Sequence, residues 1–386
     1  MSETSKPKRV LIVAGESSGD LHGGNLLKAV KDLKLQLEFY GVGGNRMRDA
    51  GCEILFPAED LAVMGLSEVI GHLPTIYNRF KLLKRELTAV VKPDLLLLID
   101  YPGFNLKLAK VAKAVGVPVL YYIAPKVWAW KKGRIKTIGQ RVDQLALIFP
   151  FEPPLYAGED LLALYVGNPL LDEYADAQPL PDLRGEFGVS QGAPLIGLFP
   201  GSRRSELRHS LETLLETATL ILAQKRSARF VLPVAPSLDP ELLKGRLAES
   251  RLPISLSHES IYHVASACDA VLCVSGTVTL QTALCRTPMA VLYKAAPLSY
   301  LVGRWLVKIP HFSLVNIVSG NEVVREFLQH QANPPALAAE ILRLIDDQDY
   351  CNQVITGLEL VCDRLGKPGC SKRVALMAAD ICNRND

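Results

Sequence analysis

Residues 195–206 read Leu-Ile-Gly-Leu-Phe-Pro-Gly-Ser-Arg-Arg-Ser-Glu: an apolar run, a turn and the start of an amphipathic helix. Leu207, Leu211, Leu214, Leu215, Ala218, Ile221 and Leu222 recur at the i, i+4, i+7, i+8 spacing of one buried helical face, so the turn joins a strand to a helix. A Pro-Gly turn there exposes backbone N–H groups. Ser202 and Ser205 add hydroxyls, Arg203 and Arg204 add guanidinium forks, and the helix adds its positive dipole end. This reads as an anion loop of the kind found in α/β domains, the competing reading being an ordinary strand-helix turn with solvated arginines.

The same grammar runs outward in both directions. Arg9-Val-Leu-Ile-Val-Ala14 precedes the glycine loop Gly15-Glu-Ser-Ser-Gly-Asp20, and a helix follows carrying Leu26, Leu27, Val30 and Leu33. Apolar runs return at residues 38–42, 95–99, 117–123 and 144–149, then at 228–233, 254–256, 270–275 and 289–292. Short runs this apolar, alternating with helical patterns, predict parallel sheets covered on both faces. The pattern breaks over residues 172–194, rich in Pro, Asp, Gly and Ala, and restarts at 195. The fold class expected is α/β, with two tandem doubly wound (Rossmann-like) domains facing a ligand crevice. The boundaries expected are a first domain over 1–170, a linker over 171–194, a second domain over 195–345, and helices over 346–386 packing across both.

Composition excludes several classes. Lys plus Arg number 43 against 40 for Asp plus Glu, a net charge of +3, far from the basic excess of a dedicated nucleic-acid binder. The eight cysteines include no C-x-x-C pair, which suits reduced packing thiols in a cytoplasmic protein. No apolar run approaches the ~20 residues that span a bilayer, so membrane association is expected to be peripheral. Two segments suit that role. Residues 61–91 combine Leu66, Val69, Ile70 and further apolar residues with Arg79, Lys81, Lys84 and Arg85, and residues 300–309 include Trp305. Amphipathicity reads equally well as helices packed in the cores.

A second anion loop is Ser275-Gly-Thr-Val-Thr-Leu-Gln281. Gly276 allows close backbone approach, Thr277 and Thr279 offer hydroxyls, and Gln281, one turn into the helix, can hold a ribose hydroxyl; Ser275 or Thr277 reads alternatively as a plain N-cap. Two such loops in one domain suit a nucleoside diphosphate.

At this point several ordered motifs resemble the lipid-A-disaccharide synthase family of inverting glycosyltransferases, over about residues 9–345. They are Gly15 to Asp20, Asp100-Tyr-Pro-Gly-Phe-Asn105, Val127-Trp-Ala-Trp130 with Lys132-Gly-Arg134, Pro200 to Glu206, Ser275-Gly-Thr277, and Asn316 with residues 322–329. The resemblance implies a glycosyltransferase B fold, UDP-2,3-diacylglucosamine as donor, 2,3-diacylglucosamine 1-phosphate as acceptor, a β-1,6-linked disaccharide 1-phosphate and released UDP. It places the chain on the cytoplasmic face of the inner membrane. Gln281 stands where the family often has Glu, and Asn168 where it usually has His.

Roles follow residue by residue. Asp100 ends an apolar strand, where partial desolvation makes its carboxylate a better base, with Glu16 as the alternative; a turn-stabilising Asp is the competing structural reading. Gly201, Ser202 and Arg203 are expected at the leaving diphosphate, with Ser275, Gly276, Thr277, Thr279 and Gln281 on the same nucleotide. The resemblance adds Asn316 as a donor contact and Ser18 and Asn105 as acceptor contacts. Val127 to Trp130, followed by basic residues, is suited to a glycosyl phosphate. Asp347-Gln-Asp349 has metal-binding spacing but follows a helix, so it reads as a helix end, and neither metal nor cofactor is expected. The helical tail also allows a homodimer. UDP-sugar 2-epimerases share the architecture and are the rival reading.

Overall fold

The computed structural model describes residues 6–61, 66–130, 133–235, 240–295 and 310–384, with the side chains of 66–72, 240 and 242 excepted. It divides into two compact units, residues 1–172 with 368–386, and residues 173–367.

The first unit is built on a seven-stranded parallel sheet. Its strands are β1 (Lys8–Ala14), β2 (Leu37–Gly43), β3 (Glu53–Pro57), β4 (Leu95–Ile99), β5 (Val119–Tyr122), β6 (Gln144–Leu147) and β7 (Leu162–Tyr165), in the order β3-β2-β1-β4-β5-β6-β7. All five residues of β4 are fully buried, as a central strand covered by helices on both faces requires. Each such leucine contributes about 1.5–3 kcal/mol of burial. The second unit carries a six-stranded parallel sheet of β8 (Leu195–Phe199), β9 (Arg229–Pro233), β10 (Ile254–Ser257), β11 (Ala270–Val274), β12 (Met289–Tyr293) and β13 (Glu326–Leu328), ordered β10-β9-β8-β11-β12-β13. Strand order reverses beside β1 in one sheet and beside β8 in the other. Ligands of doubly wound domains bind outside the strand C-termini at such a reversal.

Ten of the thirteen strands match runs read from the sequence. The three that do not, β3, β7 and β13, all lie at sheet edges. An edge strand has one neighbour and less burial: β7 runs exposed, half-buried, exposed, half-buried. Its sequence therefore lacks the continuous apolar signature of a central strand.

The expected linker, 171–194, falls almost wholly within the second unit and opens with the end of the helix Pro169–Asp176. The helical tail divides between units. Helix Gln348–Leu365 packs in the second unit on the helices Leu314–Ser319 and Thr277–Leu284, whereas Cys370–Asn383 packs in the first unit on Ser17–Asp32. The last helix is held there by Asp172, whose carboxylate accepts the backbone N–H groups of Gly369, Cys370 (3.3 Å) and Ser371 (3.1 Å). These donors begin a helix whose own N-cap side offers only Gly369.

Candidate active site

In the first unit Ala14 at the end of β1 lies beside Ile99 at the end of β4, so the loops that follow are neighbours. Gly15 is buried under the Tyr101 ring; a Cβ at Gly15 would stand 2.5 Å from Tyr101 Cδ1. That close approach accounts for the glycine. Beyond it Glu16, Ser17 and Ser18 are exposed at the start of the helix Ser17–Asp32. Asp20 does something else: it points into the protein and accepts the backbone N–H groups of Gly44 (2.7 Å), Met47 (3.1 Å) and Arg46 (3.2 Å), tying down the turn after β2.

Asp100 and Tyr101 form a strained elbow. Both non-glycine residues occupy the left-handed region, with φ of 45° and 47°. Such residues cost of order 1–3 kcal/mol each and persist only where the surroundings hold them. Here Asn105 Nδ2 donates to the carbonyls of Ile99 (3.2 Å) and Asp100 (2.7 Å), and Tyr121 Oη donates to the Asp100 carbonyl (2.6 Å). The Asp100 N–H is bonded to Tyr122 O at 3.1 Å, and Tyr101 Oη reaches Leu61 O at 2.5 Å. Asn105 is itself fully buried. This corrects the expectation of an acceptor contact: its amide fixes the elbow from below.

The elbow leaves the Asp100 carboxylate half-buried. Burial raises its pKa, while the Tyr101 N–H and the positive charge of Lys126 work against that rise. A carboxylate whose pKa is raised by burial is a stronger base than an exposed one.

Glu152, which sequence reasoning passed over, completes this edge with Trp128. Glu152 is 3% exposed and accepts from Phe149 N (2.9 Å), Ile148 N (3.2 Å) and Trp128 Nε1 (3.2 Å). Burial pushes its carboxyl up to about 7 against those three donors and Lys126. Trp128 meets Phe149 and Phe151 edge-on, with centroids 6.1 and 5.5 Å apart, and the Arg134 guanidinium lies 5.3 Å above the Trp130 ring. His22 is half-buried, and desolvation lowers its pKa to about 4, so it is a neutral packing residue at working pH.

In the second unit β8 and β11 are neighbours, with Phe199 beside Cys273, so the two predicted anion loops emerge side by side. Gly201 has φ of 97°, and a Cβ there would lie 2.9 Å from Val274 Cγ2. Only glycine suits both the conformation and the contact. Ser202, Arg203 and Arg204 are exposed. Glu206 turns back on the loop: its carboxylate accepts the N–H groups of Ser202 (3.1 Å) and Arg203 (3.3 Å) and pairs with the Arg203 guanidinium at 3.3 Å. An internal carboxylate thus sits on the donors that the sequence assigned to an external anion.

The other predicted donor-site residues divide. Gly276 has open space around it and Thr277 is exposed. Ser275 Oγ donates to Phe312 O (2.7 Å), and Thr279, fully buried, donates to Gly276 O (2.8 Å), so both hydroxyls brace the loop. The Gln281 side chain meets the Tyr262 hydroxyl. Asn316 is a further correction. It is fully buried, its Nδ2 donates to Val324 O and Glu326 Oε1 (both 2.8 Å), and its Oδ1 accepts from Val323 N (2.8 Å) and Val324 N (3.1 Å). No donor or acceptor of the amide is left over, so Asn316 shapes the 312–326 segment with Glu326. Asn168 is likewise spent on Ile148 O and Leu170 N. Asp347 caps its helix by accepting Tyr350 N at 3.0 Å. Trp305, and the side chains of Leu66, Val69 and Ile70, lie outside the described residues.

Comparison with known proteins gives this arrangement its setting. The family described as lipid-A-disaccharide synthetase matches residues 10–378. The lipid-A-disaccharide synthase of Syntrophotalea carbinolica is 48% identical over 99% of this chain and 97% of its own, and that of Geobacter metallireducens 44% identical over 96% and 97%. Among solved structures, a putative UDP-N-acetylglucosamine 2-epimerase from Listeria monocytogenes superposes with a TM-score of 0.67 at 14% identity, covering 98% of each chain, a likeness of fold alone. With two Rossmann-like units, adjacent loops after β8 and β11 and relatives this similar over nearly its whole length, the chain belongs to the lipid-A-disaccharide synthase family of glycosyltransferases.

Proposed function

We propose that the chain transfers 2,3-diacylglucosamine from its UDP derivative to 2,3-diacylglucosamine 1-phosphate, with Asp100 as the base. Asp100 takes the proton of the acceptor's C6 hydroxyl as that oxygen bonds to C1 of the donor sugar. The C1–O bond to UDP breaks on the opposite face, its electron pair leaves with the diphosphate, and the configuration at C1 inverts. The observation that carries the reading is the braced elbow, which presents a partly desolvated carboxylate. Glu16 and Ser18, exposed on the neighbouring loop, are placed to meet the acceptor. Gly201, Ser202, Arg203, Gly276 and Thr277 receive the diphosphate on backbone N–H groups, hydroxyls and one guanidinium. Mixing purified protein with the two acylated substrates and finding a tetraacyl disaccharide phosphate by mass tests the reading; turnover of UDP-N-acetylglucosamine with no acceptor present overturns it.

Glu206 must yield when the diphosphate binds. An exposed pair such as Arg203–Glu206 is worth at most about 1 kcal/mol, less than a doubly charged diphosphate gains from the same donors. Glu206→Gln removes the competing charge and is expected to tighten UDP binding by roughly two- to fivefold, since a few tenths to 1 kcal/mol is what such a pair contributes. Titration calorimetry reads this directly, and unchanged or weaker binding would mean that Glu206 only caps its helix.

The reading extends to the bilayer. No described helix is long and apolar enough to cross a membrane. On the helix Leu66–Leu87, Leu73 and Tyr77 are 52% and 59% exposed, and Lys84 and Arg85 lie in its last turn. Apolar exposure beside basic charge suits the headgroup region of an anionic membrane, the cytoplasmic face of the inner membrane for this substrate pair. Charged substitutions at Leu66, Val69 and Ile70 are expected to abolish pelleting with anionic vesicles at low salt and to slow turnover of acylated substrates. Unchanged pelleting and activity would assign the segment to the protein core.

A further inference from the structure

Lys126 and Glu152 have no part in the chemistry described above, yet both stand at the Asp100 edge of the first unit. Lys126 is exposed, carries no hydrogen bond or ion pair from its ammonium among the described residues, and its charge acts on both Asp100 and Glu152. Its backbone is tightly fixed. The preceding strand end turns at Ile123 with φ of 59°, Val127 N bonds Pro125 O at 2.6 Å, and Val127 is buried. Trp128 is then anchored twice: its ring packs edge-on against Phe149 and Phe151, and its Nε1 donates to Glu152. Glu152 in turn is locked by the N–H groups of Ile148 and Phe149. A buried carboxylate is costly to hold unless its bonds fix something, and what these bonds fix is the 125–130 segment against the end of β6.

From this placement we infer that Lys126 binds the anionic group at C1 of the acceptor sugar, and that Glu152 is the positioning residue that holds Lys126 in reach of it. The inference rests on the acceptor reading above. In a hexosamine the C6 hydroxyl and the C1 substituent flank the same ring oxygen, so a base on the C6 hydroxyl places the C1 phosphate within one sugar's width. Asp100 N–H bonds the Tyr122 carbonyl that ends β5, and Lys126 follows four residues later on the same edge of the sheet, next to the Asp100 elbow. An ammonium is a compact charge with three donors, suited to a phosphate monoester that must also leave with the product.

The test compares 2,3-diacylglucosamine 1-phosphate with 2,3-diacylglucosamine as acceptors for wild type, Lys126→Ala, Glu152→Ala, Glu152→Gln and the double alanine variant. Assayed above the acid limb, where Asp100 is ionised with or without the Lys126 charge, Lys126→Ala is expected to raise KM for the phosphorylated acceptor about tenfold, the scale of one charge-assisted contact, with kcat, donor KM and the rate on the unphosphorylated acceptor unchanged. Glu152→Ala should give the same phosphate-specific loss, the double variant no more than the larger single loss, and Glu152→Gln, whose single amide oxygen can serve either Trp128 Nε1 or the Ile148 and Phe149 N–H groups but not both, a smaller loss confined to the same acceptor. Equal losses on both acceptors, or single losses that multiply, overturn the inference. If Glu152→Ala does not fold, Lys126→Ala and Glu152→Gln still decide it. A wild-type protein that forms no disaccharide overturns the acceptor reading instead.

Discussion

Asp100→Asn is expected to reduce turnover by roughly a hundredfold or more while leaving UDP affinity unchanged, because a general base contributes about 10²–10⁴ to rate and the proposed UDP contacts all belong to residues of the second unit, whereas Asp100 belongs to the first. Asparagine keeps the size of the side chain. The elbow is held through the Asp100 carbonyl and N–H, which the substitution does not touch, so the fold should survive. The pH profile gives an independent reading. A base must be ionised to act, so kcat/KM falls as pH drops through the Asp100 pKa. Burial raises that pKa, so this acid limb should begin at a higher pH than an exposed carboxylate would give, and it should vanish in Asp100→Asn. A fully active variant would transfer the role to Glu16, which is exposed on the adjoining loop; Asp20 is already committed to three backbone N–H groups.

Arg203→Ala is expected to weaken UDP binding by about 10- to 100-fold, the value of a charge-assisted contact of some 1.5–3 kcal/mol. The guanidinium is 75% exposed and paired only weakly with Glu206 in the described structure, so removing it should cost little folding stability. The loss should therefore appear in the binding isotherm and not in the thermal transition. Arg203→Lys should retain part of the affinity, since a point charge survives but the fork does not. The same account assigns the leaving charge to Arg203 and to the N-termini of two helices, so full activity is expected in excess chelator. Activity restored by a divalent cation after chelation would show that the arginine is not sufficient.

The two strand-helix loops were legible because their signals are local. Pro200 to Glu206 announces a strand-helix turn with exposed N–H groups, and the structure sets it beside Ser275 to Thr277 through the pairing of β8 with β11. What local reading missed was the competition for those groups. Glu206, three residues beyond Arg203, is close enough to fold back on the loop, and a helix N-terminus attracts its own carboxylates as readily as a ligand's. Asn105 and Asn316 illustrate the opposite error. Both belong to motifs, and both are amides with four hydrogen-bonding positions, so they read equally well as ligand contacts. Burial decided otherwise: Asn105 braces Asp100, and Asn316 ties its own segment to Val323, Val324 and Glu326. Each holds the scaffold of its loop.

The alternation of apolar runs and amphipathic helices was enough to determine two parallel α/β units, ten of their thirteen strands and the positions of Asp100 and Arg203 at strand ends, because burial on both faces demands continuous apolar residues and strand ends demand turns. Tertiary structure alone decided which polar groups remain available. That assignment depends on partners distant in sequence: Tyr121 beneath Asp100, Glu152 behind Trp128, and Asp172 at the head of a helix that begins at Cys370 and returns to the first unit. A hydrogen bond is a matter of ångströms and angles, which the chain's periodicity does not carry and only its packed form supplies.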